Sequence, residues 1–195
     1  MSGPDEAGQR EAMRMLEEAG AVLRGHFQYA SGRHGDTYIE KFRLLEKPRV
    51  TEALCRRIAD HFRVLAPQIV VGPTTGGILL AHETAKHLGE GINAYFAERS
   101  DGGGRHLGRG FAVEAGQRVL VVDDVLTTGG SVQDTLDAVV AAGGRPIGVG
   151  LVVDRTNGAT DFGGLDLFAC LSIDVASYEP SACTLCADDI ELTIT

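Results

Sequence analysis

Val119-Leu120-Val121-Val122-Asp123-Asp124-Val125-Leu126-Thr127-Thr128-Gly129-Gly130-Ser131 is the stretch on which the reading of this chain turns. Its first four residues are an unbroken apolar run rich in β-branched valine, which suits a strand covered on both faces. That strand is expected to end in two adjacent carboxylates at its carboxyl edge, where open α/β sheets receive ligands. A turn of hydroxyls and glycines follows at the start of a helix. Glycines let backbone N–H groups approach an anion closely, hydroxyls add donors, and the helix N-terminus adds a favourable partial charge. A helix dipole contributes only about 0.3–2 kcal/mol toward an anion, whereas micromolar binding needs about 8 kcal/mol. Several directed hydrogen bonds must therefore converge, which Thr127 to Ser131 can supply. The turn has no Lys, so it is not the loop of nucleoside triphosphatases. Like charges keep Asp123 and Asp124 away from the anion, so they should meet sugar hydroxyls or a magnesium ion carried by the ligand. The implied ligand has a phosphate at one end and a diol nearby, as in a ribose 5-phosphate. The same spacing also fits solvated acids before an ordinary Thr-capped helix.

Outward from this stretch, helical and strand-like segments alternate, which predicts α/β with a mainly parallel sheet. Residues 5–24, with Met13, Leu16 and Leu23 among good helix formers, are expected to be helical. Val50, Leu54, Ile58 and Phe62 recur every fourth position and give residues 49–63 one buried stripe. Ile69-Val70-Val71 reads as a short buried strand, Ile78 to Leu88 as the helix after it, and residues 92–96 as a strand. Leu136, Val139 and Val140 mark a helix stopped by Gly143-Gly144, and Ile147 to Val153 a further buried strand. Leu167 to Leu171 reads as one more strand, and Leu192 to Thr195 alternates like a short edge strand.

At 195 residues the chain has the size of one domain. Its 44% hydrophobic and 23% charged residues exclude intrinsic disorder. Eighteen Lys and Arg against 27 Asp and Glu give −9, which argues against a nucleic-acid partner held by general basicity. No apolar run approaches the roughly 18 residues of a membrane span. The acidic, polar start from Met1 to Glu6 is unlike a signal peptide, so a cytoplasmic protein with no membrane partner is expected. Cys55 and Cys170 read as small core residues. Cys183 and Cys186 form one C-x-x-C, which could supply only two of the four ligands that a structural zinc requires. With no second pair at such spacing, a structural or incidental role is expected of them. His82-Glu83-Thr84-Ala85-Lys86-His87 resembles H-E-x-x-H. Its histidines are five apart, though, and at about 100° per residue they point about 140° away from each other.

Val121 to Ser131 resembles the phosphoribosyl-pyrophosphate signature of the type I phosphoribosyltransferases. The resemblance implies their fold, a central parallel sheet flanked by helices with a small hood subdomain. It implies that Thr127, Thr128, Gly129, Gly130 and Ser131 cradle the 5-phosphate while Asp123 and Asp124 meet the ribose hydroxyls. Val125 and Leu126 belong to the same binding segment. Gly72-Pro73-Thr74-Thr75-Gly76-Gly77, between strand and helix, is a second backbone-rich turn and looks like the family's pyrophosphate loop. Taken alone it also fits a plain tight turn. Residues 99–110 place Arg99, Arg105, His106 and Arg109 among glycines. They read as a mobile lid over a polyanion, or as an exposed hairpin. The family has a flexible loop here that commonly completes the neighbouring subunit's site, which implies a homodimer.

Phe27-Gln28-Tyr29-Ala30-Ser31-Gly32-Arg33-His34 and Thr37-Tyr38-Ile39-Glu40-Lys41 resemble the N-terminal hood of orotate phosphoribosyltransferases. Val152-Val153-Asp154-Arg155 resembles the strand end whose Arg holds the orotate carboxylate, a task suited to its bidentate fork. Three family cations are absent. A Tyr-Lys is replaced by Thr75-Gly76, a Lys before Ser-Gly-Arg by Ala30, and a Lys-x-His-Gly in the lid by Gly and Arg residues. Lys41, Arg99, Arg105 and His106 are candidate replacements.

The resemblance thus implies one domain over residues 1–195, with a hood from about 25–45 and the C-terminal segment. It implies transfer of the phosphoribosyl group of 5-phosphoribosyl 1-pyrophosphate to orotate. Asp123, Asp124, Arg99 and Arg105 would carry catalysis, and Thr74, Thr75 and Gly76 would join the phosphoribosyl-pyrophosphate site. Thr127, Arg155, Tyr38 and Lys41 would receive orotate. Mg2+ would arrive with the substrate near Asp123 and Asp124 without direct protein ligands. Transfer to a purine or other base, or a non-catalytic sensor on the same fold, are the alternatives.

Overall fold

A computed structural model describes residues 6–195; Met1 to Asp5, which carry most of the polar start and the first residue of the expected 5–24 helix, lie outside the described residues. In chain order the elements are α1 (Glu6–Glu18), β1 (Val22–Gln28), β2 (His34–Ile39), α2 (Lys41–Leu45), α3 (Pro48–Phe62), β3 (Ile69–Pro73), α4 (Gly76–Leu88), β4 (Asn93–Arg99) and β5 (Arg105–Leu107). There follow β6 (Arg118–Leu126), α5 (Gly130–Ala141), β7 (Arg145–Asp154), β8 (Asp166–Ser172), α6 (Thr184–Ala187) and β9 (Leu192–Ile194).

Six strands form one sheet in the order β5-β4-β3-β6-β7-β8, parallel except for β5, which runs antiparallel to β4. The chain steps from β3 outward to β4, then returns to lay β6 on the other side of β3. The carboxyl ends of β3 and β6 therefore flank the switch in winding direction, where the loops after them diverge and leave a crevice. Side chains alternate across the sheet. Leu120 and Val122 of β6 pack with Leu54, Ile58 and Phe62 of α3 and Leu80 of α4, while Val119 and Val121 pack with Val132, Leu136 and Val139 of α5. Burying each large apolar side chain contributes about 1.5–3 kcal/mol. Continued one step further, the alternation puts Asp123 on the α5 face and Asp124 on the α4 face.

Two expectations need correction. The helix predicted over 5–24 stops at Glu18, because Gly20 adopts φ +70° and the N–H groups of residues 19–21 close back on Met15, Glu17 and Leu16. Leu23 therefore lies in β1. The central strand does not end at the acids: β6 runs through them to Leu126, since β7 continues beside it and pairs Leu126 with Asp154. The helix marked by Leu136, Val139 and Val140 is α5, in which Val140 is 60% exposed.

A second, three-stranded sheet has the order β2-β1-β9. β1 and β2 are antiparallel, and β9 joins β1 in parallel from the far end of the sequence. Arg33, after the β1 turn, ties this sheet to the C-terminal segment. Its guanidinium donates to Ser177 Oγ (3.0 Å) and the Ser177 carbonyl (2.6 Å) and pairs with Glu179. Among the described residues no helix is long and apolar enough to cross a membrane.

Candidate active site

Asp123 and Asp124 are both buried at the crevice. The Asp124 N–H donates to Asp123 Oδ1 and the Val125 N–H to Asp124 Oδ1, each at 2.8 Å. Burial, and then the neighbouring Asp124 charge, push the Asp123 carboxyl up to about 7, against the pull of the Asp124 N–H, Lys41 and Ser131. On the other face, Lys41 Nζ lies 3.2 Å from Asp124 Oδ2. Gly76 approaches so closely that a Cβ there would run into the Asp124 carboxylate. The turn after β3 is thereby pressed against the acids.

Beyond Leu126, Thr127 and Thr128 are exposed, and α5 begins at Gly130 after the N-cap Gly129, whose φ of +84° needs a glycine. No side chain caps this helix, and its first N–H groups have no intrahelical acceptors. Exposed Gly130 and Ser131 complete an open anion cradle. Of the remaining signature residues, Val125 is half-buried. Leu126 is buried in the core with its carbonyl taken by the Arg155 N–H at 3.0 Å.

The segment expected as a mobile lid is a hydrogen-bonded hairpin in which Arg99 of β4 pairs with Arg105 of β5. Arg105 donates to the Ala97 carbonyl at 3.0 Å, to Thr74 Oγ1 at 3.3 Å and to Ser131 Oγ at 3.2 Å. It therefore bridges the turn after β3 and the cradle after β6 of its own chain. Burial and the Arg99 charge disfavour its protonated form, and its buried Nε has no hydrogen-bond partner. A cavity of about 300 Å³ opens between Arg99, Arg105, Gly130 and Ser131. His106 bonds Ser100 Oγ at 3.0 Å, and Arg109 pairs with Glu98 at 2.8 Å, so both are engaged within the hairpin.

A second cavity, about 340 Å³, lies where the three-stranded sheet covers the crevice. Thr127, Thr128 and Arg155 form its floor, and Tyr29, Ala30, Ser31 and Tyr38 one wall. The Arg155 guanidinium stacks over the Tyr29 ring, 4.5 Å from its centroid. The Arg155 Nε is buried without a hydrogen-bond partner, and among the described residues no carboxylate pairs with this arginine. Neighbouring Asp154 is already satisfied by the Thr156 N–H (2.7 Å), the Thr156 hydroxyl (2.7 Å) and the Gly158 N–H (3.0 Å). A half-buried cation with spare donors in a mostly apolar cavity suits a small carboxylate.

Thr127, Tyr38 and Arg155 thus share one cavity, Gly76 stands against Asp124, and Thr74 meets Arg105. Lys41 does not line the cavity with them but reaches Asp124. Sequence reasoning missed the third wall, Val175, Ser177 and Thr195. These belong to a stretch with no motif, and the alternation at 192–195 was the sole hint that it joins a sheet.

A family model described as the phosphoribosyl transferase domain matches residues 43–162. An orotate phosphoribosyltransferase of Pelotomaculum thermopropionicum is 43% identical over 180 residues, 92% of this chain and 93% of that relative. The crystal structure of Mycobacterium tuberculosis H37Rv orotate phosphoribosyltransferase in complex with Fe(III) dicitrate matches with a TM-score of 0.70 at 28% identity, over 85% of this chain and 97% of that one. The same enzyme in complex with 5-phospho-alpha-D-ribosyl 1-diphosphate gives 0.67 at 26% identity, over 85% and 96%. Matched over nearly its whole length, and with the crevice, cradle and covered cavity in place, the chain belongs to the orotate phosphoribosyltransferase family of type I phosphoribosyltransferases.

Proposed function

We propose that this protein transfers the phosphoribosyl group of 5-phosphoribosyl 1-pyrophosphate to orotate, forming orotidine 5-phosphate and pyrophosphate. The observation that carries the reading is the covered cavity, in which Arg155, its Nε without a partner and no carboxylate beside it, faces the Thr127–Thr128 end of the cradle. The orotate carboxylate sits on Arg155 between the tyrosines, which aims a ring nitrogen at the anomeric carbon. That nitrogen forms the new bond as the bond from the anomeric carbon to pyrophosphate oxygen breaks. The transition state resembles a ribosyl cation, so catalysis is positioning and charge stabilisation rather than nucleophilic attack by a side chain.

Thr127 to Ser131 hold the 5-phosphate, and Asp123 and Asp124 hold the ribose hydroxyls and face the developing positive charge. Thr74, Thr75, Gly76, Arg99 and Arg105 take the pyrophosphate. The acid pair offers only oxygen donors, and the Lys41 ammonium pairs with Asp124 but not with Asp123, a set that fits a hard divalent cation. Asp123 and Asp124 would face a magnesium ion arriving with the substrate, which would supply neutralisation of pyrophosphate charge there. We place the enzyme in the cytoplasm, where four free thiols persist. We also propose that it acts as a homodimer, for which Phe42 and Leu79, each more than half exposed, offer apolar contact.

A panel of free bases supplied with phosphoribosyl pyrophosphate and magnesium tests the assignment. Orotidine 5-phosphate formation is the expected result. Turnover of guanine, xanthine or adenine but not orotate would reassign the base, and tight binding without turnover of any base would make the protein a sensor.

A further inference from the structure

Three parts of the chain that share no motif converge in the small sheet: His26 on β1, His34 at the start of β2, and Cys183 and Cys186 at α6. One nitrogen from each imidazole and both sulfurs lie within 4.8 Å of one another. His26 Nε2 is 3.0 Å from His34 Nδ1, 3.5 Å from Cys183 Sγ and 3.6 Å from Cys186 Sγ, and Cys186 Sγ is 3.3 Å from His34 Nδ1. Around a tetrahedral zinc with Zn–S about 2.3 Å and Zn–N about 2.0–2.1 Å, ligand atoms stand roughly 3.3–3.8 Å apart. The observed spacings come within a few tenths of an ångström of that.

Hydrogen bonding alone does not account for the cluster. His26 Nδ1 lies 2.8 Å from the Ile190 carbonyl, which can only accept, so Nδ1 carries the proton and Nε2 turns its single lone pair inward. Three groups crowd that one lone pair. A cation instead uses one lone pair from each of the four residues, and a carbonyl holding the distal N–H is the usual outer support of a metal-bound imidazole. Both cysteines are free, and Cys183, His26 and His34 are buried. Two thiolates cancel the charge of a divalent ion, so such a centre can be buried at low cost. The soft sulfur and imidazole set selects zinc over magnesium.

We propose that His26, His34, Cys183 and Cys186 bind one zinc ion in a closed structural site. The ion fastens the C-terminal segment to the β1–β2 hairpin. It leaves no open coordination position and takes no part in the chemistry at the acid pair. Its effect is architectural: α6 is pinned just before β9, whose Leu192 pairs with His26 itself. Ser177 and Thr195, which wall the covered cavity, are held by the same segment. The other cluster of metal-ligating groups, Glu52, Glu83 and His87, is only partly buried, and its carboxylates already serve Arg56 and Lys86.

Elemental analysis of the full-length protein, purified under reducing conditions, is expected to give one zinc per chain. Exchange into cobalt is expected to give the intense visible bands of a tetrahedral site and thiolate-to-cobalt charge transfer in the near ultraviolet. Cys186→Ser is expected to lower zinc affinity by more than the roughly 10- to 100-fold that losing an outer hydrogen-bond partner costs. In the unaltered chain, a chelator is expected to expose Cys186 to alkylation, which keeps the test decisive should the serine variant fail to fold. Substoichiometric zinc with no cobalt spectrum after reconstitution would overturn the site, as would a Cys183–Cys186 disulfide in freshly purified protein. None of these readouts depends on which base is transferred.

Discussion

A carboxyl group buried beside another carboxylate keeps its proton to a higher pH, and Asp123, pushed up to about 7, is such a group. In the unfolded chain it titrates near 4, in the ordinary range. The folded state therefore binds this proton more tightly. The resulting penalty on stability is absent below about pH 4, grows from there to about 7, and is complete above it. Its upper bound is roughly 4 kcal/mol. Asp123→Asn is expected to unfold at a higher temperature than the parent at pH 8 and to differ little at pH 4, while losing affinity for phosphoribosyl pyrophosphate. A gap that stays the same at both pH values would show that Asp123 is not the titrating group. Arg155 gives a second prediction at this scale. A hydrogen bond to a charged group contributes about 1.5–3 kcal/mol, so Arg155→Ala is expected to raise KM for orotate roughly 10- to 150-fold, with little change for phosphoribosyl pyrophosphate. Arg155→Lys is expected not to restore it, because a point charge lacks the bidentate fork.

At the scale of elements, the cradle depends on how α5 begins. Gly129→Ala places a side chain at φ +84°, with the new Cβ 3.3 Å from Thr160 Cγ2 and 3.4 Å from Phe162 Cζ. The backbone strain alone costs about 1–2 kcal/mol, so denaturant unfolding is expected to show that loss and calorimetry a weaker ribose 5-phosphate complex. The β4–β5 hairpin acts differently. Arg105→Ala removes the bridge between Thr74 and Ser131 and is expected to cut kcat roughly 100-fold, as loss of one charge-stabilising donor does. Ribose 5-phosphate, which has no pyrophosphate, should still bind. Elements with one dominant period are legible in the chain itself. Val50, Leu54, Ile58 and Phe62 declare α3, and the apolar runs declare β3 and β6. The break between α1 and β1 is harder to read, because Leu23 continues the helical composition and Gly20 is the lone mark of the stop. The glycine–hydroxyl turn announces the cradle, since its chemistry is contiguous. The third wall of the covered cavity is silent, and of the four-residue cluster only the Cys183–Cys186 pair is legible, because strand pairing brings in His26 and His34 from positions whose separation along the chain carries no signal.

For the molecule as a whole, the covered cavity proposed for the base is shared between the large sheet and a cover assembled from both ends of the chain. The phosphate cradle, by contrast, lies wholly on the large sheet. Removing residues 190–195 deletes β9 and Thr195, and is expected to raise KM for orotate while leaving ribose 5-phosphate binding near its parental value. Equal losses of both would show that the cover supports the body rather than the base alone. The backward and forward aim of Asp123 and Asp124 has a mechanical consequence at the same scale. Adjacent residues of one strand serve opposite layers, so a sugar that grips both carboxyl groups straddles the sheet at its carboxyl edge. Its arrival couples the local opening of α4 to that of α5, and amide exchange in the two helices is expected to slow in concert, on either side of a sheet that otherwise keeps them apart.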